Sequence, residues 1–172
     1  MKKMLKNKKG FSLVELLIVI AIMGVLAVIA FSMFSGVVAN SRKKADYTQA
    51  GNIQKALVAY MVDTGDAPLK YLKNDDTPIR PGESEWYDVV LALQQDQVVD
   101  GQPYKAPLNS KSGSEPSTVE FKPQWSGHGG YNIEVFTDKM NAVVKPVASS
   151  TKLKVYAEDG SELNSGADVY KD

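Results

Sequence analysis

The sequence predicts an α+β fold: a long N-terminal helix packed as a spine on a small antiparallel β-sheet. Three patterns carry this reading. From Leu13 to Ala39 the chain is apolar except for Glu15 and a few small polar side chains. From Ala50 to Met61 apolar residues recur at helical spacing, with Ile53, Leu57 and Tyr60 between them. From Tyr131 onward, short apolar segments alternate with polar residues and are separated by turn signals. A helix laid on a one-sided sheet buries the apolar faces of both.

Length and composition narrow the function classes. A chain of 172 residues holds one modest domain and one special segment. The net charge of +0 hides an asymmetry, because Lys2, Lys3, Lys6, Lys8 and Lys9 precede Phe11 with no acid among them. Without that stretch the chain has a net charge of −5, which disfavours nucleic acid as a partner, since phosphate binding needs clustered Lys and Arg. The chain has no cysteine, which removes disulfides, thiolate metal sites and a cysteine nucleophile.

The stretch from Leu16 to Phe31 contains no polar side chain. As a helix, Leu13 to Ala39 would extend roughly 40 Å, enough to cross a hydrocarbon core of about 30 Å. The five lysines before it predict a cytoplasmic N-terminus by the positive-inside rule, with the rest of the chain outside. The competing reading is a secretory signal peptide removed after Val37-Val38-Ala39. Against it, the apolar run exceeds a typical h-region of about 7 to 15 residues, and a carboxylate at its start is out of place. Glu15 is costly near a membrane, and no Lys or Arg follows it for more than two helical turns.

Lys8-Lys9-Gly10-Phe11-Ser12-Leu13-Val14-Glu15, followed by the apolar run, resembles the class III signal of type IV prepilins and type II secretion pseudopilins. The resemblance covers roughly the first 40 residues. It implies a leader, residues 1–10, removed between Gly10 and Phe11 by a prepilin peptidase that methylates the new Phe11 amine. It implies a transmembrane and polymerisation helix over residues 11–39 and an exported pilin domain over residues 40–172. Assembly would pair the Phe11 amine with Glu15 of a neighbouring subunit; a pair within one chain is the alternative, since residues four apart face one another on a helix.

The implied function is a major or minor pilin, stored in the inner or plasma membrane and polymerised into a surface filament for adhesion, motility or biofilm formation. Its partners would be further copies of itself, the peptidase and a pilus assembly platform protein. A pseudopilin of a type II secretion or DNA-uptake system is the alternative within the family. Outside it stands a single-pass membrane-anchored binding protein or enzyme. Many family members carry a proline near the position of Ser32; this chain has Gly24 and Gly36 instead. Many also staple the C-terminal region with a disulfide, which this chain lacks, so packing must fix that end.

In the exported part, the first helix is expected to continue to about Val62, stopped by Thr64-Gly65-Asp66 and Pro68. Asp63 to Glu85 reads as a connecting loop. Trp86, Val89, Val90, Leu93 and Gln97 suggest a short second helix with Ser84 as N-cap. Asn109 to Ser114 reads as a mobile connection. Strands are expected near Thr118 to Lys122, Tyr131 to Phe136, Ala142 to Lys145 and Lys152 to Tyr156, with turns at Thr137-Asp138-Lys139 and Glu158-Asp159-Gly160 suiting an antiparallel meander.

Catalytic and cofactor chemistry is weakly signalled. His128, the single histidine, lies in Ser126-Gly127-His128-Gly129-Gly130 and reads as a surface-loop residue. Asp75-Asp76, Asp96, Asp100 and Glu158-Asp159 match no calcium-loop spacing and read as solvated acids. Trp86 and Trp125 read as core anchors more than as an adhesive surface. The chain is expected to be no enzyme and to need no cofactor or metal.

Overall fold

The computed structural model describes residues 11–109 and 115–171. The chain divides into two compact units, Met1–Ser41 and Arg42–Asp172. Helix α1 runs Leu13–Thr64. In the first unit its side chains are exposed from Leu13 through Val37. In the second unit it buries Asp46, Ala50, Ile53, Ala56, Leu57, Tyr60 and Met61, a stripe spaced three and four residues apart.

The helix ends where the sequence places stop signals, two residues beyond the expected end. Gly65 takes a left-handed φ of 73° and donates its N–H to Met61 O at 2.9 Å. Asp66, 5% exposed, then organises the turn. Its carboxylate accepts the Tyr60 hydroxyl at 2.7 Å and the backbone N–H groups of Lys70 and Tyr71 at 2.7 and 2.9 Å. Burial, and then the Asp66 charge, raise the Tyr60 hydroxyl far above its ordinary range, so it stays a donor.

The second unit is an α+β layer. Its elements in chain order are β1 (Lys73–Asn74), β2 (Thr77–Pro78), α2 (Trp86–Leu93), β3 (Gln97–Val99), β4 (Gln102–Tyr104), β5 (Gly130–Phe136), β6 (Asn141–Val147), β7 (Lys154–Tyr156) and β8 (Glu162–Leu163). The pairs β1–β2 and β3–β4 are small antiparallel ribbons, and the main sheet has the order β6-β5-β7-β8. Tyr131, Ile133 and Val135 of β5 are buried, as their alternation with Asn132 and Glu134 predicts. They meet the buried faces of α1 and α2 in one core.

Several expectations are corrected. The N-cap of α2 is Glu85, which forms a capping box with Asp88; Ser84 instead accepts the Arg80 N–H at 3.0 Å. Gln97 lies on β3, where its buried side chain donates to Ala92 O at 2.8 Å and Lys73 O at 2.9 Å. Residues 118–122 form turns, with the Phe121 and Lys122 N–H groups both donating to Thr118 O at 3.0 Å. Residues 110–114, within the expected mobile connection, lie outside the described residues.

The sheet is no meander, because β7 pairs parallel to β5 and not with β6. Two features explain this. The outer edge of β6 meets α1, whose Gln54 accepts the Val144 N–H at 3.3 Å. The connection from β6 to β7 crosses the start of β5, where a Cβ on Gly129 would lie 2.4 Å from Ala148 O and one on Gly130 2.8 Å from the Trp86 indole nitrogen. The C-terminal end is fixed by Tyr170, which donates to Pro68 O at 2.8 Å and stacks beneath Arg80 at 5.0 Å.

Asp66 holds three donors, so Asp66→Ala in the full chain should cost about 2 to 4 kcal/mol, because buried donors lose their acceptor. Urea denaturation in detergent checks this. A loss within about 0.5 kcal/mol, the range of ordinary surface changes, would contradict the role assigned to Asp66.

Candidate functional site

The candidate site is the start of α1. Ser12 stands at the N-cap position: the Leu16 N–H donates to Ser12 O at 3.2 Å, the first helical bond. Glu15 occupies the third helical position, and its Oε2 accepts the Ser12 N–H at 3.0 Å. This is one half of a capping box, in which the carboxylate satisfies an orphan donor and lies at the positive end of the helix dipole. Glu15 therefore does have a partner in its own helix. The spacing Ser12-Leu13-Val14-Glu15 carries that signal, an amide and not a cation being the partner.

Phe11 immediately precedes this cap and is 90% exposed. Gly10 lies outside the described residues. Beyond Glu15, large apolar side chains cover every face of the helix, and Leu16, Ile20, Val25, Phe31 and Phe34 are all exposed. An 18-residue window of this segment has mean hydropathy 3.0 with none of it buried, so it is long and apolar enough to cross a membrane. A helix apolar all round needs an apolar environment on every side.

Over residues 5–31 the sequence matches the family model described as the prokaryotic N-terminal methylation motif. The chain carries this methylation motif. The motif covers Gly10, Phe11, Glu15 and most of the apolar run. Fimbrial protein EcpC of Eikenella corrodens is 44% identical over 66 residues, which are 38% of this chain and 43% of that protein. Type IV major fimbrial protein FimA of Dichelobacter nodosus is 35% identical over 60 residues, 35% of this chain and 38% of that protein. The matched stretches thus span less than half the length of these curated relatives. No solved structure matches the chain.

A second polar cluster corrects the sequence reading. His128 is not a surface-loop residue: its side chain is 7% exposed and its Nδ1 lies 2.7 Å from Oδ2 of Asp46, itself 1% exposed. Asp46 also accepts the backbone N–H groups of Gln124 and Trp125 at 2.7 and 3.2 Å. The imidazole stands edge-on to the Trp125 and Tyr47 rings, with centroids 4.6 and 6.0 Å apart. Gly127 is required here, since a Cβ would lie 2.3 Å from Trp125 ring atoms. These residues tie a loop to α1, and the arrangement acts as a clasp.

The other acids are dispersed. Asp96 binds Lys105 at 2.5 Å and the Ala106 N–H at 3.1 Å, and Asp159 accepts from Ser161 at 2.6 Å. Each carboxyl is held below its ordinary range, Asp96 by the hydrogen bond from Lys105 and Asp159 by that from Ser161. Among the described residues, no three His, Cys, Asp or Glu side chains group to hold a metal ion. Trp86 is a core anchor, 7% exposed and edge-on to Tyr131 at 5.2 Å.

The clasp reading predicts that Asp46→Ala frees the loop. Amide hydrogens of Gln124 and Trp125 should then exchange at least about tenfold faster, as local opening loses about 1.4 kcal/mol or more of protection. Hydrogen exchange read by mass spectrometry measures this. Unchanged protection would show that Asp46 does not hold the loop.

Proposed function

We propose that the chain is a type IV pilin: a precursor stored across the membrane, trimmed between Gly10 and Phe11, methylated on Phe11 and polymerised into a surface filament. The observation that carries this is the coincidence of the methylation motif with a helix that exposes apolar side chains on all faces behind one capped carboxylate. The similarity to fimbrial proteins favours the same reading. The leader is residues 1–10, the spanning and polymerisation helix residues 11–39 and the exported domain residues 40–172. The N-terminus lies in the cytoplasm before assembly. The chain acts by assembly and not by turnover, with the peptidase, the assembly platform and further copies of itself as partners.

The mechanism follows from the charges. Cutting before Phe11 creates an amine that stays cationic when methylated. Glu15 uses Oε2 for the Ser12 N–H, and a carboxylate has two oxygens, so Oε1 remains to accept that amine from a neighbouring subunit. The pair neutralises two charges that are costly in hydrocarbon, and desolvation offsets much of its attraction, so it sets register more than it adds strength. Burial of the apolar side chains against neighbouring helices supplies the cohesion. A filament so built serves adhesion, motility or biofilm formation.

Two measurements on native filaments test the proposal. Intact-mass and N-terminal analysis should find a chain beginning at methylated Phe11. Glu15→Ala should lower incorporation into filaments at least about tenfold, the effect of about 1.4 kcal/mol, while circular dichroism of the full chain in detergent is unchanged. A mature N-terminus at Asn40 would replace this reading with a secreted domain.

A further inference from the structure

The sequence places a basic run, Arg42-Lys43-Lys44, three residues beyond Ala39, the end of the apolar stretch. Within helix α1, three residues advance about 4.5 Å. The polar layer on each side of a bilayer is about 5 to 7 Å deep. The run therefore falls within reach of the headgroups wherever the span leaves the hydrocarbon. All three side chains are exposed, and among the described residues none pairs with a carboxylate.

Aromatic groups stand beside these charges. Lys43 Nζ lies 5.0 Å from the centroid of the Trp125 ring, and Tyr47, one turn beyond Lys43, is 52% exposed. Trp and Tyr combine an apolar body with a polar handle and collect at membrane interfaces for that reason. The patch is also built: the Asp46 clasp fixes the backbone at Gln124 and Trp125, and His128 fills the space between the Tyr47 and Trp125 rings. The indole is held beside the basic run by backbone hydrogen bonds to the buried Asp46 carboxylate.

We infer that Arg42, Lys43, Lys44, Tyr47 and Trp125 form a collar that seats on the anionic phospholipid headgroups at the outer face of the membrane. The inference rests on the proposal that the apolar helix spans the bilayer. Each basic side chain near an anionic surface favours the bound state about fivefold, and the effect weakens with salt. Trimming before Phe11 would remove the five lysines on the opposite flank and leave the collar as the basic cluster next to the span. The collar then sets the depth of the stored subunit and must release before the subunit enters a filament.

The test reconstitutes the full chain in vesicles of phosphatidylcholine alone or with phosphatidylglycerol. Each carries a headgroup-linked nitroxide quencher, and the Trp125 signal is the difference between wild type and Trp125→Phe. The collar requires stronger quenching of Trp125 with phosphatidylglycerol present and loss of that increment in high salt. Arg42→Gln/Lys43→Gln/Lys44→Gln should lose the increment too, while the variant still floats with the vesicles. Equal quenching in both lipids, with flotation intact, overturns the collar and leaves the spanning reading standing. Quenching that depends on protein density but not on lipid charge would assign the patch to a second copy and also overturn it. Failure of the wild type to float would remove the spanning reading, and the collar with it.

Discussion

A carboxylate at the head of the apolar segment of α1 sets the terms for the N-terminal unit. Glu15 is costly in hydrocarbon unless its charge is met by donors. The helix itself offers the first of these in the Ser12 N–H, at 3.0 Å. One amide and the helix dipole lessen the cost without cancelling a full charge. The remaining demand is for a cation, and the segment from Leu13 to Ala39 contains none. In the proposed assembly, the amine created at Phe11 meets that demand from outside the chain. In that proposal the apolar faces are indifferent to register, and the pairing of this one charge is what would align neighbouring helices.

The second unit follows the same logic with partners supplied internally. Asp66 gathers a hydroxyl and two amides where α1 ends, and Asp46 gathers two amides and an imidazole on the same helix. Among the described residues, no buried side-chain nitrogen or oxygen lacks a hydrogen-bond partner. Without cysteine, these buried carboxylates and the Tyr170 anchor at the C-terminal end do the fastening that covalent bridges do elsewhere.

Local periodicity made much of this legible beforehand. The buried stripe of α1 and the inward residues of β5 follow from spacing alone, because burial on one face imposes a period of 3.6 or 2. The parallel β7 does not: it depends on Gly129 and Gly130 clearing a crossing and on Gln54 meeting the edge of β6, contacts distant in sequence. His128 read as an exposed loop residue because its partner Asp46 lies 82 positions away and on another element. The spacing of Gln97 suits α2, yet its amide instead bridges Ala92 and Lys73. At the candidate site the residues Phe11 and Glu15 were legible from the motif. The half capping box is carried by the Ser-x-x-Glu spacing, which is helix chemistry as well as processing chemistry.

In the proposed filament the charge on Glu15 is met from another chain. Filaments assembled from a mixture of two batches decide it, one carrying 15N-phenylalanine and the other 13C-glutamate, examined by solid-state NMR. Pairing between chains predicts dipolar contact between the Phe11 amine nitrogen of one batch and the Glu15 carboxyl carbon of the other. Contact seen only when both labels share a chain would contradict it.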